Sequence, residues 1–200
     1  MSVSTLPFEQ LKQLLEAAIF TAGKPISVAK LKSTVLANYR VSYRVINQAL
    51  EELTTEYAPR GVNLVQVGSG YRFQAINAFA SEIAMMFEEK APRYSRALLE
   101  TLALIAYRQP ITRGEIENIR GVAVSSHITK TLIERDWIHV VGHKEVPGRP
   151  AMYATTTAFL DYFSLKSLAQ LPELLPVTES SLSSEDTTQQ SESETSDVRS

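Results

Sequence analysis

The sequence predicts an α+β chain, mainly helical, with two tandem modules and a disordered acidic C-terminal tail. Three observations carry this. Apolar spacing near 3.6, repeated through three segments and followed by a switch to period 2, occurs twice along the chain. The tripeptides Pro25-Ile26-Ser27 and Pro110-Ile111-Thr112 mark the same point of both copies. Residues 178–200 are of another composition: six acidic residues, one basic, twelve Ser or Thr, and only Leu182 and Val198 apolar. Such a segment cannot bury enough apolar surface to offset about 1–2 kcal/mol of backbone entropy per residue.

The first helix of copy one carries Leu11, Leu14, Leu15, Ala18 and Ile19 on one stripe, and that of copy two carries Leu98, Leu102, Ile105 and Ala106. Ser27 and Thr112 stand where a second helix needs its N-cap, and Glu115 completes a capping-box spacing with Thr112. Second helices of about seven to ten residues follow, with Leu31 and Val35, then Ile116 and Ile119, facing inward. Third helices have apolar faces at Val45, Ile46, Ala49, Leu50 and Leu53, and at Val124, Ile128, Leu132 and Ile133, with Ser42 and Ser125 as caps. Period 2 then takes over. Residues 62–67, the turn Gly68-Ser69-Gly70 and residues 71–75 read as a hairpin. In copy two the strands are 138–141 and 152–155, around a longer loop at 142–150. Three short helices closed by a hairpin is the winged-helix plan, a relative of helix-turn-helix.

A connecting helix is expected over 78–90, with Phe79, Ile83, Met86 and Phe87 apolar, ended by Pro92. It should hold the modules in a limited range of orientations. Residues 157–169 read as a last amphipathic helix, with Phe159, Leu160, Phe163 and Leu168, stopped at Leu171-Pro172. The division is then 8–90, 93–175 and the tail 178–200.

Several function classes are disfavoured. The chain has 200 residues and formal charge −2, which splits into +3 before residue 178 and −5 after it. No apolar run reaches the roughly 18–20 residues of a membrane span; the best, 97–107, is interrupted by Glu100 and Thr101. The first nine residues lack a basic start followed by an apolar block, so no secretory leader is expected. With no cysteine, disulfides, thiol catalysis and Cys-type zinc sites are absent. His139 and His143 flank a strand-to-turn step, about 13 Å apart along a strand, too far for one ion. Gly68-Ser69-Gly70 leads into a strand, whereas a phosphate loop leads into a helix N-terminus. No nucleophile-elbow, Walker or paired-carboxylate motif is present. No enzymatic activity, metal, cofactor or small-molecule substrate is expected, and the location expected is cytoplasmic.

DNA binding is the rival that a winged helix brings. The third helices would present Tyr43, Arg44, Asn47, Gln48, Glu51 and Glu52, and His127, Thr129, Lys130, Glu134 and Arg135. Both sets mix signs. Lys30, Lys32, Arg40 and Arg44, with Lys24, form a basic cluster that suits phosphate or an ordinary solvated face. On these residues alone, DNA recognition and protein recognition stand even.

Copy two then resembles a known family. Residues 100–113, ETLALIAYRQPITR, then Glu115-Ile116-Glu117 and Ile119-Arg120-Gly121-Val122, resemble the bacterial segregation and condensation protein B family. Gly148-Arg149-Pro150, Tyr153, Thr155-Thr156, Phe159-Leu160, Phe163, residues 165–168 and Leu171-Pro172 follow in the same order. The resemblance covers about residues 10–175. Residues 123–127, AVSSH, depart from it where a more polar turn is usual, as does Ser164, where glycine is usual. The acidic tail lies outside the pattern.

The resemblance implies a tandem winged-helix protein with no catalysis of its own, partnering a kleisin subunit and an SMC ATPase. It implies a homodimer formed through the first module, and a grip on the kleisin through the second. The role implied is chromosome condensation and partition, and through them the cell cycle and division. DNA would be met indirectly, at the nucleoid. Tyr107, Arg108, Gln109, Arg113 and Arg149 become candidate kleisin contacts. Each also has a plain reading: a capped turn at Pro110 with Tyr107 packed inward, and a wing turn at Gly148-Arg149-Pro150. The alternative function is a winged-helix transcriptional regulator reading DNA with Arg44 and Asn47.

Overall fold

The computed structural model describes residues 5–87 and 93–173. Helix α1 (Phe8–Thr21) buries Leu11, Leu15 and Ile19, spaced by four on one stripe. In α2 (Val28–Ser33) the Ser27 hydroxyl accepts from the Lys30 amide at 3.2 Å, as its cap position predicts. This helix is six residues long, shorter than expected. The Ser33 and Thr34 hydroxyls both donate to the Lys30 carbonyl and end the ladder there, so Val35 falls beyond the helix. Leu36, in the turn that follows, is buried in the core. Helix α3 (Tyr43–Tyr57) is capped by Ser42 and buries Ile46, Ala49, Leu50 and Leu53.

Strands β1 (Val62–Val67) and β2 (Gly70–Ala75) pair antiparallel, Val67 opposite Gly70, around the two-residue turn Gly68-Ser69. Ile26 bridges to Tyr71 across the other edge of β2. Gly70 explains itself there: at φ 150° a Cβ would lie 2.2 Å from the Ile26 carbonyl oxygen. Leu64 of β1 completes the first hydrophobic cluster.

The expected helix over 78–90 is much shorter. A 3₁₀ turn (Asn77–Phe79) leads into α4 (Ala80–Ala84), and Met85 and Met86 form a turn. Met85, Met86 and Phe87 are exposed, so no buried apolar face supports a longer helix. Residues 88–92 lie outside the described residues, as do 174–200. The expectations for the end of the connector, the last boundary and the tail therefore have no structural counterpart.

The second half repeats the order. Helix α5 (Arg96–Arg108) is capped by Ser95 and buries Leu98, Thr101, Leu102, Ile105 and Ala106. Strand β3 (Ile111–Thr112) leads into α6 (Arg113–Arg120), opened by the predicted capping box of Thr112 and Glu115 and closed at left-handed Gly121. Helix α7 (Ser126–Glu134) has Ser125 as cap. Strands β4 (Ile138–His143) and β5 (Ala151–Thr155) pair with a register shift between Val140 and Gly142, so β4 runs two residues beyond its expected end. The sheet order is β3-β5-β4, three strands where a hairpin was expected. The repeated tripeptide explains the third strand. Ile111 pairs with Tyr153 as Ile26 pairs with Tyr71, and the next hydroxyl residue caps a helix in both halves.

The second cluster contains Leu98, Leu102, Ile105, Ile116, Val124, Leu132, Trp137, Ile138 and Phe159. Ile119 and Ile133, expected on inner faces, are 55% and 44% exposed. The last helix is also shorter than expected: α8 (Thr157–Tyr162) ends well before residue 169. Ser164 takes the left-handed conformation at φ 56°, and the Leu165 amide donates to the Leu160 carbonyl at 2.8 Å. This is a Schellman end with serine at the position glycine favours. A 3₁₀ turn (Leu168–Gln170) follows.

Candidate functional site

Helix α5 has two apolar stripes. Leu98, Leu102 and Ile105 face the core, while Leu99, Ala103 and Tyr107, spaced by four, face outward beside them. The outer stripe is not left alone. The chain beyond α8 returns across it, and Phe159, Phe163, Leu165 and Leu171 form the opposite wall of a groove of about 270 Å³. The Tyr107 hydroxyl donates to the Pro172 carbonyl at 2.6 Å and fixes that return. Leu99 remains 42% exposed at the groove's edge. Arg108, one residue beyond Tyr107, is exposed and forms no ion pair among the described residues.

The predicted kleisin contacts fall in different places. Tyr107 walls the groove, and Arg108 is the exposed last residue of α5 beside it in the chain. Gln109 is spent internally: Nε2 donates to the Ala106 carbonyl and to Thr155 Oγ1, both at 3.0 Å, and Oε1 accepts from the Thr155 amide at 2.7 Å. Its amide ties α5 to β5. The Gln109–Pro110 peptide bond is cis.

Arg113 lines a different cleft, of about 540 Å³, with Ser126, Lys130, Glu134 and Tyr153. Its Nε donates to Glu117 at 2.9 Å and a terminal nitrogen donates to Ser126 Oγ at 3.0 Å. Arg149 lies in the wing turn at φ 38°, 3.5 Å from Glu145, with both side chains well exposed. This wing is braced on α6 by Lys144, whose ammonium donates to Glu115. That contact and the amide and hydroxyl of Thr112 hold the Glu115 carboxyl down at about 2.

In the first half, Lys30 and Lys32 lie on α2, Arg40 in the following loop and Arg44 on α3. The Lys32 ammonium sits 3.9 Å from the centre of the Tyr43 ring. Farther along α3 the surface turns acidic, and Glu52 and Glu56 hold Lys12 of α1. No basic stripe therefore runs the length of α3.

Reading the sequence for charge missed the groove. Its apolar wall was visible as the stripe Leu99, Ala103, Tyr107, but its opposite wall depends on the return at Ser164. Among the described residues no group of three or more His, Asp or Glu side chains could hold a metal, and no helix is long and apolar enough to cross a membrane.

The family model of the segregation and condensation complex subunit ScpB matches residues 13–174. A segregation and condensation protein B homolog from Coxiella burnetii is 53% identical over 163 residues, covering 82% of this chain and 78% of the relative. Segregation and condensation protein B of Moorella thermoacetica is 42% identical over 168 residues, covering 83% and 84%. The crystal structure of ScpB from Mycobacterium tuberculosis shares 31% identity, covers 81% of this chain and 99% of that one, and has a TM-score of 0.37. The match spans both helix–helix–helix–strand series and the groove's two walls, and the chain belongs to the segregation and condensation complex subunit ScpB family.

Proposed function

We propose that this chain is a non-catalytic subunit of an SMC–kleisin complex, built of two winged-helix domains at 8–90 and 93–175. It dimerises through the first, holds the kleisin through the second, and so acts at the nucleoid through partners. The observation that carries this reading is the groove on α5. It is apolar along both walls and edged by the exposed Leu99, and the exposed Arg108 follows the lining residue Tyr107 in the chain, its guanidinium available to a carboxylate. A buried apolar anchor beside one exposed charge is the form of a protein-binding site, not of a phosphate-tracking one. Arg108 and Tyr107 are the contacts this reading keeps. Gln109 positions α5, and Arg113 and Arg149 would act only as secondary contacts. The mixed charge of α3, with Glu51 beside Arg44 and Asn47, gives the regulator alternative no support, and neither does the family.

The test is direct binding of the purified chain to the kleisin encoded in the same genome. Ala103→Glu places a charge inside the groove, and Arg108→Glu reverses the charge that follows Tyr107. Each is expected to weaken binding at least tenfold with the melting temperature kept, whereas Lys32→Glu in the first module is expected to change it less than twofold. Equal affinity for all four proteins would remove the groove from the interface. Tight, sequence-selective and steeply salt-dependent duplex binding by the chain alone would favour the regulator instead.

A further inference from the structure

Helix α8 has a second contact surface that the groove does not use. Phe159 and Phe163 face the groove, and Thr157, Leu160, Asp161 and Ser164 share the stripe i, i+3, i+4, i+7 on its other side. That stripe meets the β1–β2 turn of the first module. The Asp161 carboxylate accepts from the Ser69 amide at 2.9 Å and from the Ser69 hydroxyl at 2.6 Å. The Ser164 hydroxyl accepts from Arg72 at 3.0 Å and donates to Gln74 Oε1 at 3.1 Å. Ser164 does this from the left-handed conformation that serine rarely takes. At Gly68 a Cβ would stand 2.7 Å from Leu160 Cβ. Gly68 has no positive φ to require glycine, in contrast to Gly70. Its missing side chain is explained by the approach of α8 alone.

We propose that the Gly68-Ser69 turn is a latch that seats on α8 and sets the orientation of the two modules. The contact is small and mostly polar, so it can open without unfolding either core. This goes beyond the proposed partner and holds whichever ligand the groove takes.

The chain has no cysteine, so cysteines introduced at exposed Glu51 on α3 and His127 on α7 carry spin labels at those two places only. Electron–electron distance measurement, with labelled protein diluted in unlabelled protein, is expected to give one narrow distribution for the parent. Gly68→Val wedges the contact apart, and Asp161→Asn removes the charge that holds Ser69. Each is expected to broaden the distribution at least twofold. Trp137, the single tryptophan, packs 5.4 Å from Phe163, so its unchanged emission reports an intact second core. If Gly68→Val fails that check, Asp161→Asn decides. A distribution unchanged in a folded variant, or already broad in the parent, would overturn the latch.

Discussion

The residues that shape this molecule most are polar ones placed where an apolar count sees nothing. Lys12 is 8% exposed on α1, and it is admissible there because Glu9, Glu52 and Glu56 surround its ammonium. The hydrogen bond to Glu56 is the main reason its pKa is raised. Glu115 does a comparable service in the second module. It caps α6 through Thr112 and receives Lys144 from the wing, which holds its carboxyl at about 2. A depressed carboxyl stabilises the fold above its unfolded value of about 4.3 and loses that contribution as pH falls toward 2. Glu115→Gln is accordingly expected to lower the urea midpoint at pH 7. The gap from the parent should stay constant down to about pH 4.3 and narrow clearly by about pH 3. A gap independent of pH would mean that the ionised Glu115 carboxylate, held by Lys144 and Thr112, contributes nothing to stability.

Among the elements, the helices that read most clearly from the sequence are those with a cap and a full stripe. Ser27, Ser42, Thr112 and Ser125 all accept the amide their position predicts. Ser95 does the same for α5 without having been singled out, and it is the cleanest place to measure the effect. Ser95→Ala should cost about 1 kcal/mol and Ser95→Asp should restore it. Thermal melting of the three proteins measures both, and a Ser95→Ala chain as stable as the parent would deny the cap any weight. Element ends were less legible, for reasons that differ from place to place. Helix α8 stops where Ser164 turns left-handed, and the partners that hold it, Arg72 and Gln74, lie about ninety residues earlier. The bridge added to the first sheet depends on Ile26 meeting Tyr71, and the third strand of the second on Ile111 meeting Tyr153, pairings across distances that local periodicity does not carry. Ile119 lay on the expected stripe of α6, yet this short helix buries only Ile116. The hydrogen bonds of Gln109 to Thr155 were not legible, because the two residues are remote in the chain.

At the scale of the whole molecule, the described residues form two hydrophobic clusters, with Met85, Met86 and Phe87 exposed between them in the chain and a small polar contact at α8. The second cluster carries the aromatic pack of Trp137, Phe159, Tyr162 and Phe163, and the groove opens beside it. This explains how a chain of near-neutral charge can serve a chromosome. Its acidic residues 178–200 offset a mildly basic body, and the groove on α5 is lined by apolar residues. On the proposed reading, contact with DNA falls to the partners. The claim is tested most directly by recovering the tagged chain from its native cell and identifying the bound proteins by mass spectrometry. The account predicts a kleisin and an SMC ATPase with the parent chain, and the loss of both with Ala103→Glu combined with Arg108→Glu. Equal recovery with the two chains, or neither partner with the parent, would contradict it.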